Sequence, residues 1–177
     1  MPLILMCWGR AQRLQMMLTP AWLLAIGNQD YQSYPDLQAS VNDAQALADV
    51  FSKNYGYSAR VLRDASKFDV LLALDDIRSK AGLDDDVIVY FAGHGELSSG
   101  RGSWVPSDGV LNQPSTWIDN KIVSDILAEL PARNVLVLAD SCYSGTLTAS
   151  AVPRASPSFA ASEWSAWAKV TGAGRSR

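Results

Sequence analysis

Three short apolar runs constrain the fold of this 177-residue chain more than any other feature. They are Ala21–Gly27 (AWLLAIG), Val87–Ala92 (VIVYFA) and Asn134–Ala139 (NVLVLA). None alternates polar with apolar, so each reads as a strand buried on both faces, the habit of parallel sheets. Ala59–Arg63 (ARVLR) alternates weakly and is a further strand candidate. Between these runs the apolar spacing is helical. Val41, Ala44, Leu47, Ala48 and Phe51 form one stripe, stopped by Gly56. Val70, Leu74, Ile77 and Ala81 form a second, with Ser66 as cap, Asp69 supporting the first turn and Gly82 at the end. Val123, Ile126, Leu127 and Leu130 form a third, stopped at Pro131. Alternating strands and helices imply right-handed βαβ units, hence an α/β sandwich with a mostly parallel sheet between two helix layers. Residues 28–40, with Tyr31, Tyr34 and Pro35 among polar neighbours, read as a loop, and Gly93–Gly102 as a glycine-rich loop.

Composition narrows the functional classes. At 48% hydrophobic and 19% charged, the chain is too apolar to be disordered. A net charge of −3 gives no electrostatic support for nucleic-acid binding. No apolar run approaches the roughly 20 residues that span a bilayer, so no membrane role is expected. The apolar start MPLILMCW has no preceding positive charge and no clear cleavage site after it, so it is not read as a signal peptide. Two cysteines are too few for a disulfide framework, and a reduced, cytoplasmic compartment is the default. A single histidine excludes a mononuclear zinc site with three histidine ligands. After Gly145 the composition shifts: residues 146–177 hold eight alanines and six serines and carry +3, against −6 for residues 1–145. The segment 148–177 therefore reads as a loosely ordered tail, and residues 1–20 as an N-terminal extension.

In open α/β sheets, sites form beyond the carboxyl ends of the strands. Two predicted strands end there in polar, glycine-flanked clusters: Gly93-His94-Gly95, and Asp140-Ser141-Cys142-Tyr143-Ser144-Gly145. The one histidine and the one cysteine outside the N-terminal stretch are thus expected at the same sheet edge. A thiol needs a base or a positive neighbour to become a good nucleophile, and imidazole supplies both. A lone cysteine or histidine is most often structural; it is the joint placement that favours a dyad. Cys7, in an apolar stretch without His or acid nearby, reads as a small hydrophobe.

YFAGHG at 90–95 and ADSCYSG at 139–145 resemble the two catalytic motifs of the caspase/metacaspase superfamily of cysteine peptidases. The His-to-Cys separation, 94 to 142, suits the caspase spacing of roughly 50 residues. The Gln-Ala-Cys signature of animal caspases is absent, and Asp-Ser-Cys-x-Ser-Gly is closer to metacaspases and bacterial caspase-like proteins. IGNQDY at 26–31 and VNDAQALADVF at 41–51 resemble the family's first strand and first helix. The four motifs stand in family order and put the caspase-like catalytic domain at residues 21–147.

The resemblance implies a peptide or protein substrate and assigns roles. Cys142 is the nucleophile, and His94 the base and then the acid. The backbone N–H groups of Cys142 and Gly95 form the oxyanion hole. Asp43 and Asp140 line the pocket for the residue before the cut and favour Arg or Lys. The blander readings are a helix-start acid for Asp43 and a solvated strand end for Asp140. Asp84–Asp86 reads as a solvated turn. Asp108 and Asp119 fall where calcium-dependent metacaspases carry ligands; the set is incomplete, so no cofactor is required and calcium stays an open option. Family members continue past the nucleophile with further strands, whereas 35 residues follow Cys142 here. The chain therefore reads as truncated after the nucleophile motif, with weak activity expected by itself. The rival function is an inactive caspase-like module acting through protein–protein contact.

Overall fold

A computed structural model of the chain describes residues 20–141. Cys7, Cys142 and the expected tail lie outside the described residues. Four strands, β1 (Ala21–Gly27), β2 (Ser58–Arg63), β3 (Asp86–Ala92) and β7 (Asn134–Asp140), form a parallel sheet in the order β2-β1-β3-β7. The sequence-predicted runs become these strands with shifts of at most one residue. Helix α1 (Ser40–Tyr55) covers one face, while α2 (Lys67–Lys80) and α3 (Asn120–Ala128) cover the other. The result is the expected three-layer α/β sandwich.

Successive residues of each strand serve opposite layers. Leu23, Ala25 and Ile88 pack with Ala44 and Ala48 of α1. Leu24, Ile26, Val87, Val89 and Phe91 pack with Val70, Leu74 and Ile77 of α2 and with Val123 and Leu127 of α3. Burying each of these large side chains is worth roughly 1.5–3 kcal/mol. This double burial explains why the strand sequences do not alternate. Helix α1 ends at Gly56, and α2 begins in the capping box of Ser66 and Asp69, as the sequence predicts.

Two features depart from the sequence reading. The glycine-rich segment forms a hairpin, β4 (Gly95–Ser98) and β5 (Arg101–Trp104), extended by β6 (Ile118–Asp119) into a small antiparallel sheet. Ser99 and Gly100 turn the chain with positive φ at both residues, the backbone of a two-residue hairpin. Trp104 then stacks on Phe91 at 4.6 Å, joining the small sheet to the main core. The second departure is Asp85, which is no solvated turn residue. It is 5% exposed, and its carboxylate accepts the Trp22 Nε1–H at 2.7 Å and the Gly82 N–H at 2.9 Å. Among the described residues, no helix is long and apolar enough to cross a membrane.

Candidate active site

The carboxyl ends of β1, β3 and β7 meet at one place because the strands are parallel and in register. Ala92 of β3 pairs with both Gly27 of β1 and Asp140 of β7. One residue further, the Gly93 N–H donates to the Asp140 carbonyl at 3.3 Å. His94 follows Ala92 by two residues, and Cys142 follows Asp140 by two. The segments bearing the sequence-predicted base and nucleophile thus leave the sheet from one paired position; Cys142 itself lies outside the described residues.

Helix α1 reaches this edge by close packing. A Cβ on Gly27 would sit 2.4 Å from the Ser40 carbonyl oxygen, so only glycine lets the helix start touch the strand end. That contact brings Asp43, in the first turn of α1, to the carboxyl edge of the sheet. Asp43 and Asp140 are both exposed. Burial raises the pKa of the Tyr90 hydroxyl, and the charges of Asp140 and Asp43 raise it further. The two acids therefore act on the same phenol from α1 and from β7.

His94 is held by the loop between β1 and α1. Its Nε2 lies 2.8 Å from the Pro35 carbonyl oxygen. A carbonyl only accepts, so Nε2 carries the proton in this contact and Nδ1 of the neutral ring is left with its lone pair. The His94 backbone N–H donates to the Tyr31 hydroxyl oxygen at 2.9 Å. The ring of Tyr31 meets the imidazole edge-on at 4.8 Å, and Tyr34 lies at 5.4 Å. Burial pushes the Tyr31 hydroxyl up to about 12. Tyr34 is pushed to about 12 by burial and then by the neighbouring Glu96. Both phenols remain neutral at any working pH.

The Gly95 N–H has a defined direction. Gly95 lies opposite Trp104, and the flanking Val105 N–H donates to the His94 carbonyl at 2.9 Å. This makes Gly95–Trp104 a non-hydrogen-bonded pair, so the Gly95 N–H points away from β5 to the outer edge of β4.

Asp108 and Asp119 are engaged elsewhere. Asp108 accepts the Lys67 N–H at the start of α2. Asp119 accepts the Lys121 N–H as the cap of α3 and pairs with Arg101. Among the described residues, no group of three or more His, Cys, Asp or Glu could hold a metal ion. The sequence reading missed Tyr31 and Pro35 as partners of His94. A backbone carbonyl carries no side-chain signature, and the loop residues gave only turn signals.

The solved structures support the same architecture. Protein GSU0716 from Geobacter sulfurreducens superposes with a TM-score of 0.59 at 21% identity, over 70% of this chain and 50% of that one. The Drosophila initiator caspase Dronc superposes with a TM-score of 0.55 at 16% identity, over 68% of this chain and 52% of that one. The chain spans about half the length of each. No curated protein matches it in sequence. The family model of the caspase domain matches residues 21–171, and the chain belongs to the caspase domain family of cysteine peptidases.

Proposed function

We propose that this chain is a cysteine endopeptidase that cuts after Arg or Lys, with Cys142 as nucleophile and His94 as proton carrier. The observation that carries the reading is the register of β3 and β7, which sets Ala92 opposite Asp140 two residues before each partner. His94 Nδ1 takes the thiol proton, and the thiolate attacks the carbonyl carbon of the scissile peptide bond. The developing oxyanion is met by the backbone N–H groups of Gly95 and Cys142. The C–N bond then breaks and the leaving amine takes its proton from His94. Water attacks the thioester, passing a proton to His94, and the acid product leaves as Cys142 regains its thiol. Pro35 supports this cycle by holding the Nε2–H, so that the lone pair stays on Nδ1.

Specificity is assigned to Asp43 and Asp140, whose shared influence on Tyr90 supports one acidic pocket. Two carboxylates favour a cationic side chain through charge-assisted hydrogen bonds. The test is a panel of fluorogenic peptides with the wild-type, Cys142→Ala and Cys7→Ala chains. Arg or Lys peptides should be cut in preference to Asp peptides, Cys142→Ala should remove turnover, and Cys7→Ala should leave it intact. Turnover retained by Cys142→Ala sinks the dyad; preference for Asp sinks the pocket.

A further inference from the structure

We infer that Tyr31 is a positioning residue for His94, gripping its backbone with the phenol oxygen and its imidazole with the ring edge. The inference rests on the reading of His94 as proton carrier. Three observations support it. The Tyr31 hydroxyl accepts the His94 backbone N–H at 2.9 Å and is itself 3.4 Å from the Val105 carbonyl, the acceptor for its own proton. A Cβ on Gly93 would come within 2.6 Å of the Tyr31 oxygen, so the phenol occupies space that only a glycine before His94 leaves open. Third, Tyr31 and Pro35 belong to one loop, so backbone anchor and Nε2 acceptor move together.

That loop, the twelve residues 28–39 between β1 and α1, is pinned at several points. The Asp64 carboxylate accepts the N–H groups of Gln29 and Asp30 at 2.7 and 2.9 Å. Asp64 does so from a left-handed backbone with φ 47°. The Gln32 N–H donates to the Ser107 carbonyl, and the Leu37 N–H to that of Gln29. The Asp36 carboxylate accepts the Tyr31 N–H at 3.0 Å, folding the loop so that Tyr31 and Pro35 face the same histidine. An imidazole has two side-chain torsions. Fixing its backbone, its ring edge and one ring nitrogen leaves Nδ1 a single direction. Misplacing a reacting group by about 1 Å can cost on the order of a hundredfold in rate.

The chain has one histidine, so in untagged protein every histidine ring signal belongs to His94. Nitrogen-15 NMR of the wild type, at pH above the ring's titration, should show one neutral tautomer with the proton on Nε2. Tyr31→Phe, which keeps the ring and removes only the hydroxyl, should add the Nδ1–H tautomer as a second population. Its kcat per titrated active site should fall about tenfold while KM changes less than about twofold. Asp36→Ala should act in the same direction with a smaller effect, and it carries the test if Tyr31→Phe does not fold. Tyr55→Phe, 66% exposed on α1, should change neither readout. An unaltered single tautomer with unaltered kcat in both Tyr31→Phe and Asp36→Ala overturns the inference. Failure of the dyad reading is seen separately, as turnover that survives Cys142→Ala while the tautomer shift in Tyr31→Phe persists.

Discussion

At the amino end of the parallel sheet, Asp85 is buried and its oxygens are consumed inside the fold. The carboxylate takes Trp22 and Gly82, and the backbone carbonyl takes the Arg133 N–H at 2.9 Å. At the carboxyl end, Asn28 is as deeply buried and is paired with the backbone of Ala65 through both its amide atoms. Just above it, however, His94 stays half-buried with one ring nitrogen engaged, and Asp43 and Asp140 face solvent. One end spends its polar groups on closing the sheet. The other uses a buried amide to fix a loop and keeps a base and two acids for something outside. The difference teaches how to tell structural from functional polarity: count which hydrogen-bonding positions remain after the fold has taken its share.

The largest contrast lies in activity. Cys142→Ala and His94→Ala should each lower turnover by on the order of a thousandfold or more, with the melting temperature little changed. Steady-state assays beside thermal unfolding check this, and a comparable loss from an amino-end substitution would break the contrast. At the amino end the expected effect is on stability. Asp85→Ala removes the buried carboxylate that accepts the half-buried Trp22 indole N–H and the Gly82 N–H, at a cost of about 2 kcal/mol. Urea unfolding should record it, while kcat per folded molecule stays within about twofold of wild type, as expected for a site-independent change.

Smaller effects sharpen the carboxyl end. Asp140→Asn should lower kcat/KM for Arg peptides about tenfold, the scale of one hydrogen bond to a charged group, and leave neutral peptides unaffected. Uniform loss across the panel would assign Asp140 to the fold. The smallest effect is a pH dependence. Tyr31 and Tyr34 titrate near 12 in the folded chain against 10 when unfolded. Folding therefore favours their neutral forms, and that stability is present below pH 10 and lost as the pH rises towards 12. The urea midpoint should decline across this window, and less steeply in Tyr31→Phe.

The strands and helices were legible because double burial writes itself as continuous apolar runs and helical stripes. Ser66 with Asp69, and Gly56, marked helix ends through local chemistry that needs no tertiary partner. The hairpin was not legible: Gly95–Ser98 and Arg101–Trp104 are four residues each, rich in glycine and serine, and their pairing rests on the Ser99–Gly100 turn. Asp85 was misread because its partner Trp22 lies 63 residues away. At the site, glycine-flanked strand ends pointed to His94 and Asp140. The grip of Tyr31 and Pro35 was invisible, since it joins a loop to a strand end through a phenol and a backbone carbonyl.

The central claim is that the paired ends of β3 and β7 carry a histidine-activated thiol. Alkylation rates of Cys142 and Cys7, followed against pH in wild type and His94→Ala, test it most directly. In wild type, Cys142 should react far faster than Cys7 at neutral pH, with a midpoint below the roughly 8.5 of an ordinary thiol. In His94→Ala that midpoint should return to the ordinary range. Equal rates at the two cysteines, or a Cys142 profile unchanged by His94→Ala, would contradict the claim.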